Sequence, residues 1–321
     1  LGTGAAALFA NTGPTGQRAM AAMARRGERL AAEGGEAAAR GAAHGAAVAA
    51  HVLDWAAGDG GATVENMGFP LSHTPGPEPW RWVPTSAIAQ QQAPLLPGWG
   101  ANRPFALPDG AACPLPPPIP YDEAPGSAFH AEAMAVYEAS RTLTDEQRLI
   151  ARFWSDDPML SPTPPGHWIA IALQALEGSD AARHAQALAV LGVALADAFI
   201  VCWRDKYAYD LLRPVTYIRR VIDPAWEPLL ITPPFPEYPS GHSTQSGAAA
   251  AVLTALIGDG FAFEDRTHVD DGLPARRFAS FWAAAEEAAV SRLYGGVHFP
   301  AANARGLSQG ACVGARAARL L

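Results

Sequence analysis

Long apolar stretches free of glycine and proline alternate along this chain with stretches where those two residues recur, dividing it into helical and irregular segments. Residues 17–57 are alanine-rich with scattered charge and read as one or two helices broken near Gly34 and Gly35. Gly58 to Gly126 changes character, with aromatics at Phe69, Trp80, Trp82, Trp99 and Phe105 and the run Pro116-Pro117-Pro118. So many large apolar side chains argue for an ordered wrap packed on a helical body over a flexible linker, serving as structural cladding or, alternatively, as one wall of a substrate entrance.

Helical patterning resumes with Ser127 as an N-cap for residues 128–140. Thr144 with Gln147 forms a capping box for a helix reaching Phe153 and Trp154, which stops near Asp156-Asp157-Pro158. Asp156 and Asp157 read as solvated helix-end residues. Further helices are expected over 167–176 and 180–212, the second closed by Arg213-Pro214. A proline-rich loop, 223–239, leads to a small-residue helix over 243–257. A polar loop with an exposed His268 follows, then helices over 275–293 and 301–320. The last helix carries Gly306, Gly310 and Gly314 at one-turn spacing, a stripe suited to close helix packing.

Composition turns this pattern into a fold class. With 49% hydrophobic residues, abundant alanine and few β-branched residues, the 321-residue chain reads as all-α. We expect a single domain over 1–321, with N-terminal helices and the Pro/Gly-rich wrap in 1–126 and a site-bearing helical bundle in 127–321. The most apolar stretch, Ala185 to Trp203, contains Gln186 and Asp197 and runs into Arg204-Asp205-Lys206, so it reads as a buried core helix and not a membrane span.

A formal net charge of −8 argues against nucleic acid or anionic lipid as partners, so any anion site is local. Cys113, Cys202 and Cys312 form no metal-ligand cluster or CxxC motif and read as buried small hydrophobes. His44 and His51 would share a helix face but lack a third ligand, and are given no role. The chain begins at Leu1 and carries no signal sequence, which fits an export signal removed by processing or trimming.

Three separated segments carry chemical promise: Lys206-x6-Arg213-Pro214, Pro239-Ser240-Gly241-His242, and Ser291-Arg292-x5-His298. Lys206 and Arg213, two helical turns apart, would project from one face of the helix over 180–212. Ser240 to His242 stands at a helix start, where unpaired N–H groups and the helix dipole favour an oxyanion. Together the segments supply three cations, two histidines, a hydroxyl and a glycine N–H, the inventory for holding a tetrahedral oxyanion. Purely structural roles remain open: Lys206 and Arg213 paired with Asp210 and Asp197, Arg292 paired with Asp157, and both histidines satisfied in the core.

In this order and spacing, the segments from Ala196 to Gly314 resemble the signature shared by type 2 phosphatidic acid phosphatases, bacterial non-specific acid phosphatases and vanadium-dependent haloperoxidases. Trp203, three positions before Lys206, and Pro233-Pro234-Phe235-Pro236-x-Tyr238 before the Ser-Gly-His turn resemble the bacterial haloperoxidase-like branch. An aromatic at Phe235 is similar to the chloride-oxidising members. Asp157, after Phe153-Trp154, is similar to the family aspartate that contacts the second-motif arginine, here Arg292. The superfamily's aspartate four residues after the last histidine is replaced by Ala302, beside Asn303, so His298 needs another partner.

The resemblance implies an all-α bundle of the haloperoxidase and acid phosphatase type, built on helices near 180–213, 239–257, 275–293 and 301–320. It implies that Lys206, Arg213, Arg292, Ser240 and the Gly241 N–H bind vanadate, with His298 as the ligand to vanadium. His242 would act as acid and base, Lys206 would polarise peroxide, and Trp203 and Phe235 would line the halide side. Hydrogen peroxide and halide are then the substrates. In the alternative, an acid phosphatase, phosphate takes the place of vanadate and His298 attacks the phosphorus of a phosphomonoester. An inactive helical interaction protein is a third reading. Many relatives are exported, so export is expected here. Oligomeric state, halide preference and organic substrate stay open.

Overall fold

The computed structural model describes residues 2–61, 73–86, 93–157 and 161–321. Of the residues singled out above, Phe69 lies outside them. The chain divides into two compact units, Leu1–Thr63 and Val64–Leu321. The first holds helices α1 (Gly2–Leu8), α2 (Pro14–Glu33) and α3 (Gly35–Ala57), with the break between α2 and α3 at the expected Gly34-Gly35. None of the three helices buries a residue, and His44 and His51 are exposed.

The second unit is also helical: α4 (Ala128–Arg141), α5 (Asp145–Phe153), α6 (Pro164–Ala175), α7 (Ala181–Tyr209), α8 (Pro214–Val221), α9 (Gly241–Ile257), α10 (Phe281–Tyr294) and α11 (Pro300–Ala317). Ser127 caps α4 by accepting from the His130 N–H, and Thr144 and Gln147 form the capping box of α5. The apolar helix α7 is long enough and apolar enough to cross a membrane, but 56% of its most apolar window is buried inside the protein.

The closest helix pairing joins α9 to α11. A Cβ added at Gly306, Gly310 or Gly314 of α11 would lie under 3.0 Å from the carbonyl oxygens of Ser240, Thr244 or Ala248 on α9. Gly247 of α9 returns the relation against Leu307. The glycine stripe lets the helix carrying His242 lie backbone to backbone on the helix that follows His298.

Three sequence expectations are corrected here. Helix α7 ends at Tyr209, not Leu212, because Asp210 adopts the left-handed conformation at φ 49° and its N–H closes on the Lys206 carbonyl. Arg213 instead caps α8, with Pro214 at the first helical position. Lys206 and Arg213 therefore share no helix face. Residues 276–278 form a short strand, β2, paired antiparallel with β1 (Phe263–Asp265), so α10 starts only at Phe281 behind the cap of Ser280. Cys113 and Cys312 are joined in a disulfide, which ties the Pro/Gly-rich segment to α11; only Cys202 is a free, buried thiol.

Candidate active site

Although Arg213 stands beyond the end of α7, it converges with Lys206 and Arg292 in one buried region. All three are at most 2% exposed. Among the described residues none forms an ion pair with a carboxylate, and the structural alternatives for them are not what the chain adopts. Asp197 instead accepts the backbone N–H groups of Phe105, Ala106 and Leu107, and Asp210 pairs with His73 and Arg81.

Burial and mutual repulsion show in the acidities. Burial pushes Lys206 down to about 7, Arg213 to about 9 and Arg292 to about 10. Lys206 Nζ donates to the carbonyls of Pro236, Glu237 and Pro239 at 2.9, 2.9 and 2.5 Å, clamping the loop before the Ser-Gly-His turn. Arg213 donates to the Phe235 and Val297 carbonyls and to His298 Nε2, at 3.1 Å from the ring nitrogen. Arg292 Nη1 donates to the Trp154 carbonyl at 2.7 Å. Arg213 Nη2 and Arg292 Nε are buried and find no hydrogen-bond partner among the described residues.

The PSGH turn folds as the sequence suggests. Ser240 is the N-cap of α9, and its Oγ accepts from the Ser243 N–H and the Ser243 hydroxyl, which leaves its own proton to be donated elsewhere. Gly241 lies against the Trp203 ring and the Lys206 stem. Trp203 stacks on Phe199 and leans on Phe235 at 4.9 Å between ring centres. Phe235 lies under both Lys206 Nζ at 5.1 Å and the Arg213 guanidinium at 4.9 Å.

His298 finds the partner that position 302 lacks in Glu237. Its Nδ1 lies 2.8 Å from Glu237 Oε1, which also accepts the Phe299 N–H at 2.9 Å. A carboxylate on Nδ1 and a guanidinium N–H on Nε2 fix one tautomer, protonated at Nδ1 with the lone pair at Nε2. Burial, then Arg213, Lys206, Arg292 and His242, hold the ring well below the usual histidine value, so it is neutral. Burial raises Glu237 to about 7 against the pull of Arg213 and Lys206. Asn303 is buried nearby in sequence, but its Oδ1 has no partner.

His242 is held down to about 3 by burial and then by Arg292, although Asp156 pulls the other way. The reading of Asp156 and His268 as exposed residues is wrong: each is 2% exposed. Asp157 is half-buried and forms no ion pair with Arg292; burial raises its carboxyl, and Arg292 acts on it only through its field. The residue after Trp154 that turns fully inward is Asp156. Sequence reasoning missed Glu237 and Asp156. Glu237 had a signal: it is the one acidic residue between Pro228 and Pro239, next to the Ser-Gly-His turn.

The orphaned guanidinium nitrogens and the free Ser240 proton gather by the His298 Nε2 lone pair, which here accepts from Arg213 Nη1 and which an anion would take over, so the residues present fit a bound vanadate or phosphate. The solved structure of a bacterial vanadium-dependent iodoperoxidase is 42% identical and matches with a TM-score of 0.81 over 87% of this chain and 68% of that one. This chain belongs to the vanadium-dependent haloperoxidase family. Residues 186–321 of this haloperoxidase-family chain match the model of the VCPO second helical-bundle domain. The vanadium chloroperoxidase of Curvularia inaequalis is 28% identical over 177 residues, 39% of this chain but only 29% of the fungal enzyme's length. A holo-type bacterial vanadium-dependent chloroperoxidase, 19% identical with a TM-score of 0.70 over 85% of this chain and 71% of that one, shares the fold.

Proposed function

We propose that this chain oxidises halide with hydrogen peroxide at a vanadate held through His298 Nε2. The observation that carries the reading is the neutral His298 lone pair, fixed by Glu237, among three buried cations of which two keep unpartnered N–H donors. Vanadate bound there would supply an electrophilic centre that activates peroxide toward halide without a change in its own oxidation state. Arg213 Nη2, Arg292 Nε, the Ser240 hydroxyl and the Gly241 N–H would hold its oxygens. The buried setting excludes water and strengthens each of these contacts.

Two groups have further work. Held largely neutral, His242 accepts and returns a proton on the side of the anion away from His298. Lys206, whose three Nζ–H groups are spent on the Pro236, Glu237 and Pro239 carbonyls, would act on a bound anion and on peroxide through its charge, which a neighbouring anion favours against burial. Trp203 and Phe235 form an apolar, polarisable wall for the halide.

The same lone pair suits attack on phosphorus, and that supports phosphomonoester hydrolysis through a phosphohistidine as the second reading. To separate the two, protein stripped of anions is given orthovanadate and assayed for peroxide-dependent halogenation of an activated diketone, beside nitrophenyl phosphate cleavage. Halogenation with at least one of chloride, bromide or iodide is expected. Phosphate release that vanadate abolishes, with no halogenation by any halide, would replace the first reading with the second.

A further inference from the structure

Behind His242 lies a cluster of ionisable side chains that the chemistry above does not use. Asp156 has φ 48°, the left-handed conformation that aspartate tolerates better than most residues, and this turns its carboxylate into the protein. His167, from the Pro-Pro-Gly-His start of α6, is fully buried with Nδ1 at 2.8 Å from Asp156 Oδ1 and Nε2 at 2.8 Å from Asp265 Oδ2. Asp265 is fixed in turn by the Thr267 N–H and hydroxyl. Trp154 stacks on His167 at 4.4 Å, and Phe153 meets it edge-on.

These contacts define what the cluster is. Asp156, His167 and His268 have the residue types of a metal site. Distances of 2.8 Å on both sides of His167, however, are direct hydrogen bonds, so both ring nitrogens are spent on carboxylates. A ring that donates from both nitrogens is an imidazolium, and the two carboxylates raise His167 to about 9 against its burial. His268 closes the other side, with Nε2 at 3.4 Å from Asp156 Oδ1 and Nδ1 at 2.9 Å from Asp271 Oδ2. With Oδ1 so engaged, Asp156 Oδ2 is left buried and, among the described residues, without a hydrogen-bond donor, 3.7 Å from the buried His242 Nε2, a ring that the Ser155 backbone also contacts.

We propose that the row Asp265, His167, Asp156 is a positioning device for His242: it aims Asp156 Oδ2 at His242 Nε2, so that Nε2 carries the proton and Nδ1 keeps the lone pair that serves as acid and base. The proposal rests on the functional reading above for what Nδ1 acts upon. A carboxylate on the far nitrogen of a catalytic imidazole selects its tautomer and stabilises the imidazolium that forms during proton transfer. Here that carboxylate cannot swing away, because its other oxygen is bonded to a buried cation. The 3.7 Å gap is one that closes to a hydrogen bond once an anion orders the ring. His167 and Asp265 touch no substrate; they act through Asp156.

The test uses the full chain with histidine nitrogens labelled, as wild type, Asp156→Asn and Asp265→Asn. In the wild type the His242 ring should be protonated at Nε2 even without vanadate, and in Asp156→Asn it should become a mixture of tautomers. Turnover in halide oxidation should fall about 100-fold or more in Asp156→Asn, while vanadate affinity and halide KM stay within about threefold. Asp265→Asn, which keeps shape and most contacts, should fall about tenfold in the same pattern and stands in if Asp156→Asn does not fold. An unchanged His242 tautomer, turnover within threefold of wild type, or a loss explained wholly by weaker vanadate binding overturns the proposal. So does one equivalent of tightly bound metal whose removal reproduces the Asp156→Asn defect. If the wild type binds no vanadate, the functional reading fails instead, and the tautomer in the vanadate-free protein still decides the positioning role.

Discussion

Glu237 Oε1 accepts from His298 Nδ1 at 2.8 Å and from the Phe299 N–H at 2.9 Å, so one carboxylate oxygen orients both the ring and the start of the helix that follows it. It supplies from the loop before α9 what an aspartate four residues after the histidine would supply from α11. Glu237→Gln should therefore weaken vanadate binding or activity about 10- to 100-fold, because an amide leaves the tautomer of His298 open. Equilibrium dialysis against vanadate, read beside turnover, checks this; affinity and turnover both equal to wild type would remove Glu237 from the site.

The imidazolium of His167 makes stability depend on pH with a defined sign. Its value is raised in the folded state, so its contribution is complete below 6.5 and is lost as pH rises through about 9. Asp156 is held below its ordinary value, so its contribution is lost on acidification below about 4. The rise of His167 from 6.5 to about 9 is worth on the order of 3 kcal/mol. Urea denaturation at pH 6 and pH 10 should show the wild type losing that much more stability than His167→Gln. Equal losses in the two proteins would mean that His167 is not charged in the folded state.

Much of this arrangement was legible in the sequence because it is local. The Ser127 and Thr144 caps, the break at Gly34-Gly35, the helix start at the Ser-Gly-His turn and the glycine stripe all depend on neighbours within one or two turns. The convergence of Lys206, Arg213 and Arg292 was legible only through the family resemblance that their three motifs carry. The expected geometry for the first two was wrong, since Asp210 and Pro214 end one helix and begin another between them. Contacts that join distant segments left no periodic trace. His167 meets Asp265 98 residues away, and Cys113 meets Cys312 across 199.

The glycine stripe sets how closely the two histidine-bearing walls approach. Gly310→Ala would place a methyl group against the Thr244 carbonyl and the Ala248 N–H, both backbone atoms that cannot turn aside. We expect a loss of about 1–3 kcal/mol from overpacking, with weaker vanadate binding as α11 is pushed from α9. Thermal denaturation with and without vanadate measures both effects; a variant as stable as wild type would mean that the helices part at no cost.

Cys312→Ser removes the link between the Pro/Gly-rich segment and α11, whose ends lie 199 residues apart. A loss of about 2–5 kcal/mol is expected, matched by the wild type under reducing conditions. An unchanged midpoint in both cases would show that the two cysteines do not pair in solution.

The central claim is that His298 Nε2 is the atom through which the anion is held. Vanadate binding to wild type and His298→Ala, followed by vanadium-51 NMR and by peroxide-dependent halide oxidation on the same samples, tests it most directly. One tightly bound vanadate with halide oxidation in the wild type, and neither in His298→Ala, is the predicted result. Full retention of tight binding and halide oxidation by His298→Ala would contradict the account.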